Sequence, residues 1–320
     1  MSSFIMPSSK NFVLIITGPT ASGKTALSIK LAQLLNGVVI NADSSQVYRE
    51  LRIITNRPSP REESKVPHRL FGVLSATERG SAGWWRDAAV SEIDAVLGTG
   101  QMPILCGGTG MYINTLIHGI ARVPPVENTV FEEAAARYQK IGCERFKDEL
   151  LTLDPVLGPR VRSGDSQRLQ RAWAVAISTG KPLSYWQAQP AIKLRKDLVF
   201  CRVLLFPSRH VLFQSVKIRY QKMIEKGAVD EVKCLAELNI NSSLPAMRAI
   251  GVPQLINYIE AKTKLPAAIE SAVTATQQYI KRQRTWFSNK FQYDIKCEGQ
   301  CTTTKLEQIC EKIMQWLLTQ

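Results

Sequence analysis

The chain has 320 residues, 45% of them hydrophobic, and its 41 Lys and Arg against 27 Asp and Glu give a formal net charge of +14. This composition excludes a disordered chain, favours one large α/β domain plus a smaller unit, and suits a polyanionic partner. No apolar run is long enough to cross a bilayer, the N-terminal segment is too short for a signal peptide, and the seven cysteines lack metal-binding spacing. We therefore expect a cytoplasmic protein with reduced thiols.

The first predicted strand, residues 12–17, runs directly into a complete phosphate-loop motif, G-x-x-x-x-G-K-[ST]. The motif consists of Gly18, Pro19, Thr20, Ala21, Ser22, Gly23, Lys24 and Thr25. Its glycines let backbone N–H groups face phosphate oxygens, while the Lys neutralises charge and the Thr can hold Mg²⁺. An amphipathic helix follows, which is the context that this motif requires. The chain therefore handles a polyphosphate or a pyrophosphate.

Two further strands are predicted in the first third of the chain, at residues 38–40 and 103–106. The second of them ends in Gly107-Gly108-Thr109-Gly110, and a helix is predicted over 111–117. The strands end in polar or glycine residues, and ligands of open α/β sheets bind at the carboxyl edge. We therefore expect the candidate site residues to converge there.

Residues 123–196 lack strand signals and read as helical. In one well-marked helix, the stretch Ser163-Gly164-Asp165 forms the N-terminal cap, Leu169, Trp173 and Ile177 line one face, and Gly180 with Pro182 ends the helix. The sheet resumes over 198–206, and helices follow over 209–226, over 230–238 and in a long segment ending at 287. The predicted fold is an α/β, P-loop NTPase-like parallel sheet flanked by helices. Its discontinuous core comprises 1–122 and 197–320, with 123–196 as an inserted all-helical domain.

An acidic residue, Asp43, stands just past the second strand, whereas the strand ending at 106 offers none of the kind that an NTPase uses for Mg²⁺. A carboxylate at this position could accept a proton from an attacking nucleophile. A helix-capping role, from Ser44 onward, is compatible with that chemistry.

Several stretches that occur in a fixed order identify a protein family more specifically than the phosphate loop alone does. They are the phosphate loop, 41–44 with 46–48, 67–70, 107–112, 166–172, 248–251, and 281–283 with 285–286. With them, from about residue 12 to 290, the chain resembles the tRNA dimethylallyltransferases. That family transfers a dimethylallyl group from dimethylallyl pyrophosphate to the adenosine beside the anticodon, position 37 in tRNA numbering.

The resemblance implies that the phosphate loop holds pyrophosphate rather than ATP, and that the catalytic residues are Lys24, Asp43, Thr109 and Arg219. Lys24 and Mg²⁺ on Thr25 would stabilise the leaving group, and Arg219 would clamp it. Asp43 would be the general base on the exocyclic amine of adenine. Thr109 would hydrogen-bond that amine or a bridging phosphate oxygen.

The resemblance also implies a tRNA anticodon stem-loop as partner, and we separately expect the chain to be a monomer. The flipped base would be approached by Asp43, Ser44, Ser45, Gln46 and Thr109. The inserted domain would contact the stem-loop through Gln167, Arg168, Leu169, Gln170 and Arg171. Near the C-terminus, Lys281 and Arg284 suit RNA backbone contact. The interleaved aromatic residues Tyr279, Trp286 and Phe287 are expected mainly to pack in the core.

Two other activities compete with this interpretation. An isopentenyltransferase acting on free AMP or ATP would share the phosphate loop, Asp43 and Thr109, but would not need the insertion. A P-loop small-molecule kinase would use ATP at the same loop. The insertion and the charge of +14 favour tRNA. The chain departs from the family pattern at residues 52–58, where the family usually has a D-I-G-T-A-K-P-like stretch, and at Phe131, where some members carry an Arg that meets tRNA.

Overall fold

The computed structural model describes residues 11–190, 196–299 and 302–319. Within these ranges, one parallel sheet has the strand order β3-β2-β4-β1-β5-β6. Its strands are β1 Asn11–Thr17, β2 Gly37–Asn41, β3 His68–Arg69, β4 Met102–Gly107, β5 Leu198–Leu205 and β6 Ile295–Cys297. The predicted fold class, a P-loop-like parallel sheet flanked by helices, is confirmed.

Strand β1 lies in the centre of the sheet, and its position accounts for its continuous apolar sequence. Its residues Phe12 to Ile16 are all fully buried, because β1 pairs on one side with β4 and on the other with β5 and is covered on both faces. A strand in that position is a continuous apolar run rather than an alternating one. The strands predicted at 38–40, 103–106 and 198–206 also form, each within a residue or two of its predicted ends.

The helices of the α/β unit surround this sheet along the chain. They are α1 Lys24–Leu34, α2 Pro60–Glu63, α3 Ala82–Gly98, α4 Gly110–His118, α9 Arg209–Glu225, α10 Ala228–Glu237, α11 Val252–Ile259, α12 Leu265–Lys290 and α13 Thr303–Leu318. Among the described helices, none combines the length and the apolar character that crossing a membrane requires.

Several elements of this unit were not predicted. Strands β3 and β6 lie at the two edges of the sheet and are only two and three residues long, too short to show a period. Helix α13 supplies Ile313 and Leu317 to the sheet core, and Trp316 packs edge-to-face on Phe12 with ring centroids 6.2 Å apart. The apolar residues Ile309, Ile313 and Leu317 recur at helical spacing, so the sequence carried the signal for this helix although it was not predicted.

Residues Ile117–Leu194 form a compact helical unit, and the described remainder of the chain forms the other. The helices of this unit are α5 Asn128–Ile141, α6 Cys143–Leu153, α7 Ser166–Thr179 and α8 Leu183–Ala188. They enclose their own apolar core, to which Phe146, Leu150 and Trp173 belong. The unit begins slightly before the predicted start at residue 123.

Helix α7 has the predicted ends, but only part of its predicted face is buried. Asp165 caps it by accepting a hydrogen bond from the backbone N–H of Arg168 at 3.3 Å, and Gly180 ends it with φ +65°. Of the three residues predicted to line one face, Leu169 and Trp173 are buried, whereas Ile177 is 46% exposed and lies at the edge of that face. At 3.6 residues per turn, a position eight residues on is rotated by about 80° from Leu169.

Candidate active site

The phosphate loop joins β1 to α1 and uses the backbone freedom of its glycines. Gly18 has φ +148° and Gly23 has φ +92°. A Cβ at Gly18 would stand 2.2 Å from the carbonyl oxygen of Leu205, at the end of β5. Glycine is therefore required there for close packing as well as for the turn. The loop rests on the ends of β1 and β5, and the N-terminus of α1 adds its dipole for an anion.

The ammonium group of Lys24 folds back over this loop. Its Nζ donates hydrogen bonds to the carbonyl oxygens of Gly18, at 3.0 Å, and Pro19, at 2.8 Å. Burial lowers the pKa of Lys24 to about 8, and the neighbouring Asp43 carboxylate opposes part of that shift. An anion placed in the loop would raise this pKa again and keep the amine charged.

Asp43 lies where the chain leaves β2, in a tightly held turn. Its backbone N–H donates to Oδ1 of Asn41 at 2.8 Å, and the Asn41 amide donates to the carbonyl oxygens of Asp43 and Leu70, both at 3.0 Å. One carboxylate oxygen of Asp43 accepts a hydrogen bond from the backbone N–H of Ser45 at 3.0 Å. Residues 44–47 form turns rather than a helix, so the expected helix cap is wrong and Asp43 caps a turn instead.

Thr109 links the loop after β4 to the Asp43 turn. Its hydroxyl oxygen accepts a hydrogen bond from the backbone N–H of Ser44 at 2.9 Å, and the hydroxyl donates to Oγ of Ser44 at 3.2 Å. The two strand ends are in direct contact here, because a Cβ at Gly107 would stand 2.0 Å from the backbone of Ala42. Asp43 and Thr109 are therefore held together by backbone packing, as the convergence of strand ends predicted.

Arg219 reaches the phosphate loop from α9. Its Nη1 donates a hydrogen bond to the hydroxyl of Thr20 at 3.1 Å. Burial lowers the pKa of Arg219, and the Asp43 carboxylate is close enough to oppose that effect electrostatically. A guanidinium remains charged in such surroundings because its ordinary pKa lies far above neutrality. The structure thus brings together Lys24, Asp43, Thr109 and Arg219.

Gln283 on α12 is a site residue that the sequence reasoning missed. Its Oε1 accepts a hydrogen bond from the backbone N–H of Thr20 at 2.9 Å, and its Nε2 donates to the carbonyl oxygen of Gly108 at 2.9 Å. The side chain is 6% exposed and connects the phosphate loop to the loop after β4. The sequence does contain a signal for this role, because Gln283 is a polar residue on the buried face of α12 that includes Ile280 and Phe287.

The aromatic residues of α12 divide between core and site. Phe287 is buried in contact with Phe291, ring centroids 5.7 Å apart, as the core assignment predicted. Trp286 lies so close to the start of α4 that a Cβ at Gly110 would stand 2.5 Å from its ring. Tyr279 instead interacts with the side chains of Thr109 and Gln283, and burial raises its pKa. It is a second site residue that was not assigned from the sequence.

The sequence was compared with protein-family models and with known proteins. The model of the IPP transferase family matches residues 46–290, and an isopentenyl transferase model matches residues 11–76. The chain belongs to the IPP transferase family. Its relatives include the tRNA dimethylallyltransferase of Granulibacter bethesdensis, 44% identical over 277 residues, or 87% of this chain and 86% of that protein. The tRNA dimethylallyltransferase of Paramagnetospirillum magneticum is 38% identical over 98% of this chain and 99% of its own length.

Solved structures of IPP transferases and their relatives share the architecture. The full-length tRNA isopentenylpyrophosphate transferase from Bacillus halodurans matches with a TM-score of 0.67 and 29% identity, covering 97% of both chains. A eukaryotic dimethylallyltransferase acting on tRNA matches with a TM-score of 0.70 and 29% identity over 87% of this chain and 70% of that one.

On this IPP transferase fold, Ser44, Ser45 and Gln46 share the turn that carries Asp43. The Gln46 side-chain amide donates to the backbone carbonyl oxygens of Thr55 and Asn56, both at 3.0 Å. These residues lie beside the catalytic candidates, and their contact with a flipped base stays a prediction.

The basic residues Lys281 and Arg284 lie on a face of α12 that Gln283 does not share. They line a surface cavity of about 410 Å³, whose other lining residues are Phe206, Arg209, Thr285, Ser288 and Asn289. The Arg284 guanidinium donates to the Pro207 carbonyl oxygen and lies 3.9 Å from the ring centroid of Phe206. Burial lowers the pKa of Arg284. The contacts with Pro207 and Phe206 orient the Arg284 guanidinium, whereas the Lys281 side chain is exposed.

The family motif on α7 contains one residue that cannot act as predicted. Gln167 and Arg168 are exposed, and Gln170 and Arg171 are partly exposed. Leu169 is 0% exposed and belongs to the core of the helical unit, so its assignment as an RNA contact is wrong. Its side chain packs between helices because it lies on the apolar face of α7. The guanidinium of Arg171 lies over the ring of Phe131, 5.4 Å from the centroid.

Proposed function

We propose that this chain transfers a dimethylallyl group from dimethylallyl pyrophosphate to the exocyclic amine of adenosine 37, beside the tRNA anticodon, and releases pyrophosphate. The observation that carries the proposal is the meeting of two kinds of chemistry at one sheet edge. Cationic Lys24 and Arg219 contact the phosphate loop, while Asp43 and Thr109 stand at the adjoining strand ends. The family of tRNA dimethylallyltransferase relatives supports this assignment.

The phosphate loop would hold the leaving group. Backbone N–H groups at the start of α1, the Lys24 ammonium and the Arg219 guanidinium would face the pyrophosphate oxygens, on which negative charge develops as the carbon–oxygen bond breaks. Groups that are already positioned need no reorganisation, so leaving-group stabilisation is expected to be the largest catalytic contribution. Gln283 would keep the loop in register by holding the backbone of Thr20 and Gly108.

Asp43 would accept the proton. The nitrogen lone pair forms a bond to C1 of the dimethylallyl group, the C1–oxygen bond breaks, and its electron pair leaves on pyrophosphate. The proton released by nitrogen passes to the Asp43 carboxylate. The turn that fixes Asp43 to Asn41 and Ser45 supports this role, since a general base must be held at a defined distance. Thr109, tied to Ser44, would orient the amine or a bridging oxygen.

Mg²⁺ suits the donors available at this loop. Mg²⁺ is usually held by one or two protein oxygens plus substrate phosphates rather than by a preassembled protein cage. The hydroxyl of Thr25, in the first turn of α1, would supply the protein oxygen. When bound, the ion would neutralise pyrophosphate charge. In the described ranges, no cluster of three or more His, Cys, Asp or Glu side chains could form a cage.

Contacts with tRNA would come from both units. The exposed Gln167 and Arg168, with Arg171 on the same helix, would meet the anticodon stem-loop, and Lys281 and Arg284 would meet RNA phosphates. Extruding the target base costs a few kcal/mol, which these contacts would offset. The chain would act as a monomer in the cytoplasm, where its substrate tRNA is available.

The test is the transfer of radiolabel from dimethylallyl pyrophosphate to an anticodon stem-loop RNA, with AMP and ATP as parallel acceptors. Asp43→Asn keeps the shape of the side chain and removes its basicity, so transfer should fall about 10³-fold, within the usual range for a general base. Binding of pyrophosphate should change little. Exposed Asp230→Asn is the matched control. Label on AMP or ATP instead would identify a free-nucleotide enzyme, and phosphate transfer from ATP would identify a kinase.

A further inference from the structure

One carboxylate binds three consecutive backbone N–H groups of the loop that follows Tyr48, residues 51–57. The Glu231 side chain, in the first turn of α10, accepts three consecutive backbone hydrogen bonds. Its Oε2 accepts from Arg52 at 2.9 Å and from Ile53 at 2.7 Å, and its Oε1 accepts from Ile54 at 2.9 Å. Hydrogen bonds to a charged acceptor are about twice as strong as neutral ones, so this is a firm anchor.

An apolar contact holds the same loop from a second direction. The Ile54 side chain is 3% exposed. It lies against the start of α11, because a Cβ at Gly251 would stand 2.6 Å from Cδ1 of Ile54. Gly251, with φ +103°, therefore serves both the backbone turn and this close approach. The loop is thus fixed to α10 by a carboxylate and to α11 by a packed side chain.

The far end of the loop holds Gln46. The Gln46 amide nitrogen donates to the carbonyl oxygens of both Thr55 and Asn56, each at 3.0 Å. Both partners are acceptors, so only the NH₂ group can face them, and the opposite amide orientation would set three oxygens against one another. The group that Gln46 has left for a ligand is its carbonyl oxygen, an acceptor. An acceptor matches the N–H groups of an exocyclic amine.

We infer that Glu231 is a positioning residue for the acceptor base, acting through the 51–57 loop on Gln46. This inference rests on the proposed function. Glu231 fixes the backbone of residues 52–54, this fixes the carbonyl groups of Thr55 and Asn56, and these fix Gln46 as an acceptor beside Asp43. The hydrogen bonds that this carboxylate makes within the described residues go to the 51–57 loop and not to the phosphate loop, so its loss should affect the use of RNA and leave the use of dimethylallyl pyrophosphate intact.

The first measurement compares Glu231→Gln with Glu237→Gln, which removes the same charge from an exposed position on the same helix. In Glu231→Gln an NH₂ group replaces one acceptor oxygen and faces backbone N–H groups. We expect kcat/KM for the stem-loop RNA to fall at least tenfold, while KM for dimethylallyl pyrophosphate stays within twofold. Glu237→Gln should match wild type. Equal losses for both substrates would overturn the inference in favour of a general structural role.

A double-mutant cycle with Gln46→Ala tests the route of the effect, since residues that act in series are not additive. If Glu231 acts through Gln46, Glu231→Gln should lower kcat/KM less than twofold in the Gln46→Ala background. A tenfold loss in both backgrounds would show that Glu231 acts by another route and would overturn the inference.

Hydrogen exchange gives a readout that does not depend on activity. Glu231→Gln should speed amide exchange in a peptide covering residues 51–57 and leave a peptide covering the phosphate loop unchanged. Glu231→Asp keeps the charge but is one methylene shorter, and it replaces Glu231→Gln in every arm if that variant does not fold. If wild type transfers no label to RNA, the proposed function fails. If wild type is active and Glu231→Gln equals Glu237→Gln, only the positioning role fails.

Discussion

The candidate contacts fall into two halves, those proposed for pyrophosphate and those proposed for RNA, and the two halves have opposite surroundings. In the first half, Lys24, Arg219 and Gln283 are buried or largely enclosed, and each makes a hydrogen bond to the phosphate loop. In the second half, Gln167, Arg168 and Lys281 are each exposed. Charges in the enclosed half act at short range with little screening, whereas charges on the surface act through a salt-dependent field. Changes in the two halves should therefore differ in size and in their dependence on salt.

Among the variants that separate the two halves, the largest effect is expected for Arg219→Ala, which removes a cation from the enclosed half. Loss of one positioned donor to a developing negative charge typically costs about 10² to 10³ in kcat. Lys222→Ala, an exposed cation on the same helix, is the control and should be near wild type. Single-turnover transfer at saturating substrate makes the measurement. If Arg219→Ala lowers the rate of transfer less than tenfold, Arg219 does not stabilise the leaving pyrophosphate as proposed.

Gln283→Leu should have the next largest effect. It leaves the Thr20 N–H and the Gly108 carbonyl without a partner, and each such buried group costs about 1–3 kcal/mol. We expect KM for dimethylallyl pyrophosphate to rise about tenfold and the melting temperature to fall by several degrees. Gln278→Leu, at an exposed position of α12, is the matched control. Unchanged KM with a lowered melting temperature would assign Gln283 to folding alone.

The pKa of Lys24 predicts a pH effect on pyrophosphate binding. In the free protein burial lowers that pKa to about 8, so the amine is charged below pH 8 and loses its proton as the pH rises through it. Affinity for inorganic pyrophosphate should therefore fall above about pH 8. Lys24→Arg stays charged over this range and should show a flatter profile in calorimetric titrations between pH 7 and 9.5. The ionisation of pyrophosphate itself is common to both proteins. Parallel profiles would contradict the assignment.

The smallest effect is expected for Arg168→Ala on the exposed face of α7. Removing one phosphate contact should weaken stem-loop binding less than tenfold and reduce the slope of log K against log salt concentration by about 0.7 to 0.9. Lys140→Ala, an exposed cation elsewhere in the helical unit, tests whether general charge suffices. Equal slopes for the two variants would show a diffuse field in place of a contact.

The sequence was most informative where local geometry and chemistry coincide. The apolar run of β1, the left-handed positions at Gly18 and Gly23 and the following helix are all required by one phosphate loop, so a short motif predicts each of them. Asp43 and Thr109 could be placed together because parallel strands end at a common edge. Their contact through Ser44 follows from β2 and β4 being neighbours in the sheet.

What escaped prediction depends on pairings between distant parts of the chain. The hydrogen bond between Gln283 and Thr20 joins residues that are far apart in the sequence, and local periodicity does not predict such a pairing. Glu231 likewise reaches the backbone of Ile53 from another element. Leu169 was assigned to RNA because it stands inside a family motif, although the helical period already placed it on the apolar face. Motif membership identifies a stretch, and burial decides which of its side chains can meet a ligand.

The strand order has a consequence for how the chain assembles during synthesis. Strand β1, which carries the phosphate loop, takes its partners from β4 and from β5, where Asn11 pairs with Leu198. The helical unit, Ile117–Leu194, is therefore translated in full before the second partner of β1 exists. Until β5 emerges, an apolar strand edge remains open, and such edges invite aggregation. The phosphate loop is therefore synthesised early, whereas the sheet that supports it is completed only after β5 has been made.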